Sequence, residues 1–389
     1  MKEVKIGTIA KVFNGYAFNS TDYVKEGYRV IRITNVQKGF ITNSSRKFID
    51  LKNKLLERFI LKQGDILISL TGNVGRVGKV TNEILPAVLN QRVGKIVITS
   101  KDVVPDYLFH ILNSNIFETR LIEKSKGIAQ KNIGSSDIES LLIPLPSLEK
   151  QKHIVNVLDQ ANSLREKRKE AIALLDEYLK SIFLNLFGDP VNNPKAWPSG
   201  KVQDLVSDVR YGTSAVASSE GEYPYLRMNN ITYSGELDIS KLKFINLSDG
   251  EKEKYLAKKG DLLFNRTNSK ELVGKTTVYN LDKPMAIAGY LIRARTNELA
   301  VPEYISGYLN SKHGKKTLEA MCKSIVGMAN INAKELQSIK ILIPPIDLQK
   351  KYAMTVEKAE ALKRKMLTQL KEIDSQFHAA VQKSFRYNA

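Results

Sequence analysis

The sequence predicts an α+β chain built from two tandem copies of one unit, each a globular part of mixed α/β structure followed by a long helix. Three observations predict it. The chain repeats itself at an offset of about 197 residues. Its globular stretches hold short β-like runs broken by Gly, Asn, Ser and Pro, with helical pieces between them. Two further stretches carry apolar residues at three- and four-residue spacing over several heptads.

The repeat is legible motif by motif. KIGTIA (5–10) matches KVQDLV (201–206), VIRITNV (30–36) matches YLRMNNI (225–231), and GDIL (64–67) matches GDLL (260–263). VPDYLFHILNS (104–114) matches VPEYISGYLNS (301–311), and LPSLEKQK (145–152) matches IPPIDLQK (343–350). The order is kept and the offset drifts by only a few residues. So long a period marks a duplicated domain rather than a solenoid. The expected boundaries are 1–147 for the first domain, 148–187 for the central helix, 188–345 for the second domain and 346–389 for the C-terminal helix.

Within the domains, YRVIRI, DILISL, VGKIVI and IKILI read as strands, and 105–124 reads as a helical piece. Gly64-Asp65 reads as a turn before the strand DILISL, which feeds a polar loop. The copy at 260 keeps turn and strand but changes the loop, from LTGNVGR to NRTNSKE. Ile154, Leu158, Ala161, Ile172, Leu175, Leu179, Ile182 and Leu186 form the first helical stripe. Tyr352, Val356, Ala359, Met366, Leu370, Ile373, Phe377 and Ala380 form the second. Such stripes favour coiled-coil packing; the alternative is two helices, each lying on its own domain. Pro146 and Pro344 precede the helices, where proline helps set a start. GDPVNNPKAWPSG (188–200) has the composition of a linker. If the second helix packs on the first, the pair is antiparallel. It then places one domain at each end, about an approximate two-fold axis. A helix of about 38 residues makes a spacer of roughly 55 Å.

The net charge of +19 and pI near 9.6 point to a polyanion, most often nucleic acid. An inert basic surface or an anionic protein partner are the other readings. Residues 149–187 carry only +1 and 346–386 only +4, so most of the charge belongs to the domains. No apolar run of membrane-spanning length and no signal-peptide core is seen. The single cysteine, Cys322, allows no intramolecular disulfide. A reducing cytoplasm is the expected compartment.

Several chemistries are excluded. In GDILISLTGNVGRVGKV the pair Gly78-Lys79 is followed by Val80, and a phosphate-binding loop would need glycine where Asn73 stands. In the second copy Gly274-Lys275-Thr276 fits, but the earlier glycine position is Ser269. The nearest approach to an adenine-methylase loop, Ile343-Pro344-Pro345-Ile346, lacks both polar acceptor and aromatic. His110, His153, His313 and His378 are scattered without metal-ligand spacing. Catalysis by this chain alone is not expected.

The tandem domains, the two long helices, the GDIL/GDLL stretch, V-P-x-Y before a helix ending in LNS, and the LP-x-L-x-x-Q or IPPIDLQ start of each long helix together resemble one family. It is that of the specificity subunits of type I restriction–modification systems, the HsdS proteins, and the resemblance covers essentially the whole chain. It implies that each globular part is a target-recognition domain reading one half of a split site in double-stranded DNA, with the helices fixing the gap. It further implies two modification (HsdM) subunits docked on the helices and holding S-adenosylmethionine. Restriction (HsdR) subunits would use ATP and Mg, leaving this chain without a cofactor of its own. A self-contained restriction–methylation enzyme lacks its methylase loop here. A sequence-nonspecific nucleic-acid-binding or scaffold protein is the remaining alternative.

Lys and Arg on phosphates position such a protein, while Arg, Asn and Gln on base edges specify. The candidates are Arg32, Asn35, Ser69, Thr71, Asn73, Arg76, Asn90, Gln91 and Arg92 in the first domain. In the second they are Arg227, Asn229, Asn230, Arg266, Asn268, Ser269 and Lys270. Lys131 and Asn132, with Asn330 and Asn332, sit in another polar loop. Asn and Ser also serve turns, so each has a structural reading beside the functional one. Arg32 and Arg227 align, which suits a structural or phosphate-binding role. Asn90-Gln91-Arg92 faces Ala288-Gly289-Tyr290, and such divergence suits two readers of different sequences. The favoured base readers are therefore Asn73, Arg76, Asn90 and Gln91, with Asn268 and Lys270 in the second domain.

Overall fold

The computed structural model describes residues 2–51, 54–124, 132–325 and 328–385. It divides into two compact units. One comprises residues 1–168 and 369–389, the other residues 169–368. Each unit thus takes one globular part and half of each long helix, a division that cuts across the linear domain order.

In the first unit, four strands lie in the spatial order Ala10–Asn14, Val93–Ile98, Ile66–Ser69, Val77–Lys79, all antiparallel. A second sheet orders Tyr23–Val24, Phe48–Ile49, Tyr28–Ile31 and Ala87–Leu89, and its last pair is parallel. The second unit repeats both. Val206–Tyr211, Leu291–Thr296, Leu262–Asn265 and Thr276–Val278 make one sheet. Lys243–Ile245, Tyr223–Leu226, Met285–Ile287 and Leu256–Ala257 make the other, again with one parallel pair. The strand after the GD turn, ILIS or LLFN, is buried along its whole length, which suits its three consecutive apolar residues.

The repeated motifs each have a mechanical role. Gly64 and Gly260 take the left-handed conformation, at φ 85° and 91°. Asp65 and Asp261 close these turns by accepting from the backbone N–H of Lys62 (2.8 Å) and Lys258 (2.9 Å). The tyrosine of V-P-x-Y is buried and donates to a strand carbonyl: Tyr107 to Pro144 and Tyr304 to Leu342, both at 2.7 Å. The serine of LNS divides what the sequence suggested as one helical piece. Pro105–Leu112 and Asn115–Lys124 are separate helices, because Ser114 Oγ donates back to Ile111 O (2.6 Å) and accepts from Phe117 N (3.2 Å). Ser311 does the same between Pro302–Asn310 and Lys312–Met321, donating to Tyr308 O and accepting from Gly314 N.

The long helices run Leu148–Phe187 and Ile346–Phe385. Each starts with a fully buried glutamine. Gln151 accepts from Val104 N (2.8 Å) and donates to Asp102 O and Pro146 O (both 2.8 Å). Gln349 accepts from Val301 N (3.1 Å) and donates to Leu299 O (3.0 Å) and Pro344 O (2.8 Å). Every stripe residue is buried or half-buried. The helix halves pair antiparallel inside each unit. In the first, Ile154 and Leu158 share a core with Phe385, and Arg165 pairs with Asp374 at 2.5 Å. In the second, Phe183 and Phe187 stack around Tyr304 and Tyr352, and Lys363 pairs with Asp176 at 2.6 Å. The 188–200 linker is ordered: Trp197 Nε1 caps the helix carbonyl of Phe187 at 3.0 Å, and Asn193 brackets the Trp197 backbone. Among the described residues, no helix is long and apolar enough to cross a membrane.

Candidate nucleic-acid interface

The site is built where the parallel strands end. Ile31 lies opposite Leu89, so Arg32 and Asn90 leave the sheet side by side. In the second unit Leu226 lies opposite Ile287, so Arg227 and Ala288 do. The polar loop after the GD strand comes to the same place. Leu70 N donates to Arg92 O, and Arg266 N to Tyr290 O, both at 3.0 Å. Ile133 N then donates to Leu70 O (3.0 Å) and Ile331 N to Arg266 O (2.9 Å). Gln91 N donates to Tyr16 O (2.9 Å) and Gly289 N to Thr213 O (2.7 Å). One hydrogen-bonded frame therefore recurs in both units. It needs glycine at 15 and 212: a Cβ there would lie 2.2 Å from the carbonyl oxygens of Leu89 and Ile287.

The frame is shared and its display is not. In the first unit Asn73, Gln91 and Arg92 are exposed, while Thr71, Arg76 and Asn90 are half-buried beside them. Arg76 donates to Gln37 Oε1 at 2.7 Å. In the second unit Asn229 and Lys270 are exposed, and Arg266, Asn268 and Ser269 are half-buried. The Arg266 guanidinium lies 4.8 Å from the Tyr211 ring centre and donates to Asn330 Oδ1 at 3.2 Å. The connecting loop is longer by three residues, since Ser69 and Gly75 correspond to Asn265 and Gly274.

Some candidates face inward. Asn35, 1% exposed, accepts from Arg32 N (3.0 Å) and donates to Ser44 O (2.9 Å). Asn230, 3% exposed, accepts from Arg227 N (2.9 Å) and donates to Asp238 O (2.8 Å). Both amides clamp the same turn and have nothing left for a base. Ser69 is fully buried, donating to Asn73 O and accepting from Arg76 N. Asn332 caps the helix Ala333–Ser338 by accepting from Glu335 N at 2.9 Å. Arg32 is held by Ser45 O at 2.7 Å. Asn132 is exposed and bridges Thr71 through the backbone, and Lys131 lies outside the described residues. Sequence reasoning missed Tyr211, Tyr290 and Lys275, all on the second frame. Lys275 follows Gly274 as Arg76 follows Gly75, a correspondence that the longer loop of the second unit hides in the sequence.

The electrostatics differ between copies. Lys275 is nearly enclosed, donates to Met228 O at 2.8 Å, and its ammonium is pushed down by burial. Burial, with Lys275 beside it, pushes the Lys315 ammonium down to about 8. The corresponding first-unit position, Glu118, is neutralised by Lys38 at 2.7 Å. Among the described residues, no group of three or more His, Cys, Asp or Glu is placed to hold a metal.

Comparison with known proteins places this arrangement. The model of the type I restriction modification DNA specificity domain matches twice, over residues 1–174 and 194–372. The type I restriction enzyme EcoKI specificity subunit of Escherichia coli K12 is 25% identical over 98% of this chain and 87% of its own. The MjaVIII specificity subunit of Methanocaldococcus jannaschii is 31% identical over 43% of this chain and 41% of its own. The fold resembles that of the S subunit of the M. genitalium type I restriction–modification system. The TM-score there is 0.61 at 14% identity, covering 100% of this chain and 96% of that one. With both globular parts and most of both helices matched by the family model, the chain belongs to the type I restriction–modification DNA specificity family.

Proposed function

We propose that this chain is the DNA specificity subunit of a type I restriction–modification complex, each unit reading one half of a two-part target in double-stranded DNA. The observation that carries it is the pair of frames with the same backbone bonds and different side chains. A duplicated scaffold with diverged display suits two readers of unlike sequences. Arg92, Arg76 and Lys270 suit phosphate or guanine contacts, and Asn73, Asn90, Gln91, Asn229 and Asn268 suit adenine edges.

The long helices act as spacer and docking rail. At 40 residues each, they are about 60 Å long. Leu164, Leu174, Tyr178, Leu362 and Leu367 are exposed on them, apolar side chains that modification subunits would cover. Those subunits would hold S-adenosylmethionine and methylate adenine, and restriction subunits would use ATP and Mg. The chain itself would be non-catalytic, without a cofactor, and cytoplasmic.

Mapping methylated adenines in host DNA with and without the gene tests the reading. The expected result is one two-part motif that disappears with the gene; an unchanged methylation pattern overturns it. Binding to selected against random duplexes separates it from a nonspecific binder, which would show no large ratio.

A further inference from the structure

Both units carry a cation at the same place in the helical seam, but among the described residues only one of the two reaches into its recognition domain. Arg165 and Lys363 occupy equivalent positions, as do their partners Asp374 and Asp176. Among the described residues, Arg165 finds its partners on the helices alone: Asp374, Asn162 Oδ1 at 3.2 Å, and the Phe377 ring at 4.6 Å. Lys363, with 12% of its side chain exposed, also pairs with Glu236 of the globular part. Three residues earlier on the same helix, Glu360 accepts from Asn280 Nδ2 at 2.6 Å, a second tie to that domain.

Glu236 does not sit on a loose loop. It belongs to a short hairpin that begins at the candidate reading turn. Asp238 N donates to Asn230 O (2.8 Å), Thr232 N to Glu236 O (2.9 Å), and Glu236 N to Thr232 Oγ1 (2.9 Å). Asn230 Nδ2 closes the far side on Asp238 O. Gly235 packs so closely that a Cβ would lie 2.4 Å from Asn310 Nδ2 and 2.6 Å from Thr276 O. Glu236 is therefore tied by hydrogen bonds to the turn that carries Asn229 and Asn230. An exposed ion pair would contribute little, but a largely enclosed ammonium between two carboxylates fixes geometry, because losing one partner leaves a buried charge unpaired.

We infer that Lys363, on the spacer helix, is a positioning residue for DNA recognition by the second unit, setting the reading turn through Glu236, whereas among the described residues Arg165 makes no such tie in the first unit. This rests on the proposed function, and it adds a determinant of specificity outside the loops that face DNA. It predicts an asymmetry that a merely structural role would not produce.

The test maps methylated motifs in cells carrying the full complex with Lys363→Met, Glu236→Gln, Arg165→Gln or Gln91→Ala. Lys363→Met and Glu236→Gln should each relax one motif component, lowering discrimination there roughly 2- to 30-fold. That component should differ from the one Gln91→Ala relaxes. Arg165→Gln should leave both components as they were. Lys363→Arg, which keeps a cation between Asp176 and Glu236, should retain much of the discrimination that Lys363→Met loses. Should Lys363→Met fail to accumulate, Glu236→Gln decides alone, since it leaves the helix pair Lys363–Asp176 intact. Unchanged motifs in both variants, or relaxation of both components together, overturn the inference. Absence of any two-part motif in the unsubstituted strain would instead refute the proposed function.

Discussion

Replacing Gln349 by leucine tests how each domain is joined to its helix. The side chain is fully buried, and its amide serves three backbone groups: Val301 N–H, Leu299 C=O and Pro344 C=O. Leucine fills a similar volume and satisfies none of them. An unsatisfied buried group costs about 1–3 kcal/mol, and relief of the amide's own desolvation offsets part of the sum. The net expectation is about 2–4 kcal/mol. For a unit of about 200 residues this lowers the melting temperature by about 5–15 °C. Calorimetry of the full chain measures it. Gln151→Leu should act on the first unit with similar size, since Gln151 makes the same three bonds. Gln160→Leu, at an exposed helix position, should shift stability by less than about 0.5 kcal/mol. A loss below about 2 °C for Gln349→Leu would show that these bonds do not secure the helix to the domain.

Lys315→Met should stabilise the chain at pH 7 by on the order of 1 kcal/mol, the gain reduced by loss of the cation–π contact with Tyr233. Its folded pKa, about 8, lies below the ordinary 10.5, so the unfolded chain binds more protons between those values. The stability of the unsubstituted chain should therefore rise with pH from about 8 to 10.5, and the substitution should flatten that slope in urea titrations. Gly212→Ala should cost roughly 2 kcal/mol or more, because the new Cβ meets the carbonyl oxygens of Ile287 and Ala288 at 2.2 and 2.3 Å. Gly64→Ala meets no atom within 4 Å and should cost only about 1 kcal/mol, for its left-handed φ. Equal costs for the two glycines would contradict the close-approach account.

The duplication was readable because the scaffold residues recur at fixed spacing, and each recurring motif has a backbone task. The GD turn, the buried tyrosine, the capping serine and the clamping glutamine all bond main-chain groups, which constrains residue type. The stripes were readable for the same reason, although their gaps at 162–171 and 360–365 were not explained. Arg165 and Lys363 fill those gaps, and a charged seam residue looks like a surface residue until its partner on the other helix is known. The interface was less readable. Asn35, Asn230 and Asn332 share the composition of a base-reading loop with Asn73 and Asn268, but their amides are spent on turns and a cap. A sequence gives polarity; it does not say which way the amide points. Tyr211 and Tyr290 escaped because exposed aromatics carry no spacing signature.

The central claim is that one frame, used twice, reads two different half-sites. Mapping methylated adenines for Gln91→Ala and for Asn268→Ala with Lys270→Ala tests it most directly. The first substitution should relax one component of the motif and the second the other, with the spacing between components unchanged. Relaxation of the same component by both, or loss of methylation at all sequences alike, would contradict it.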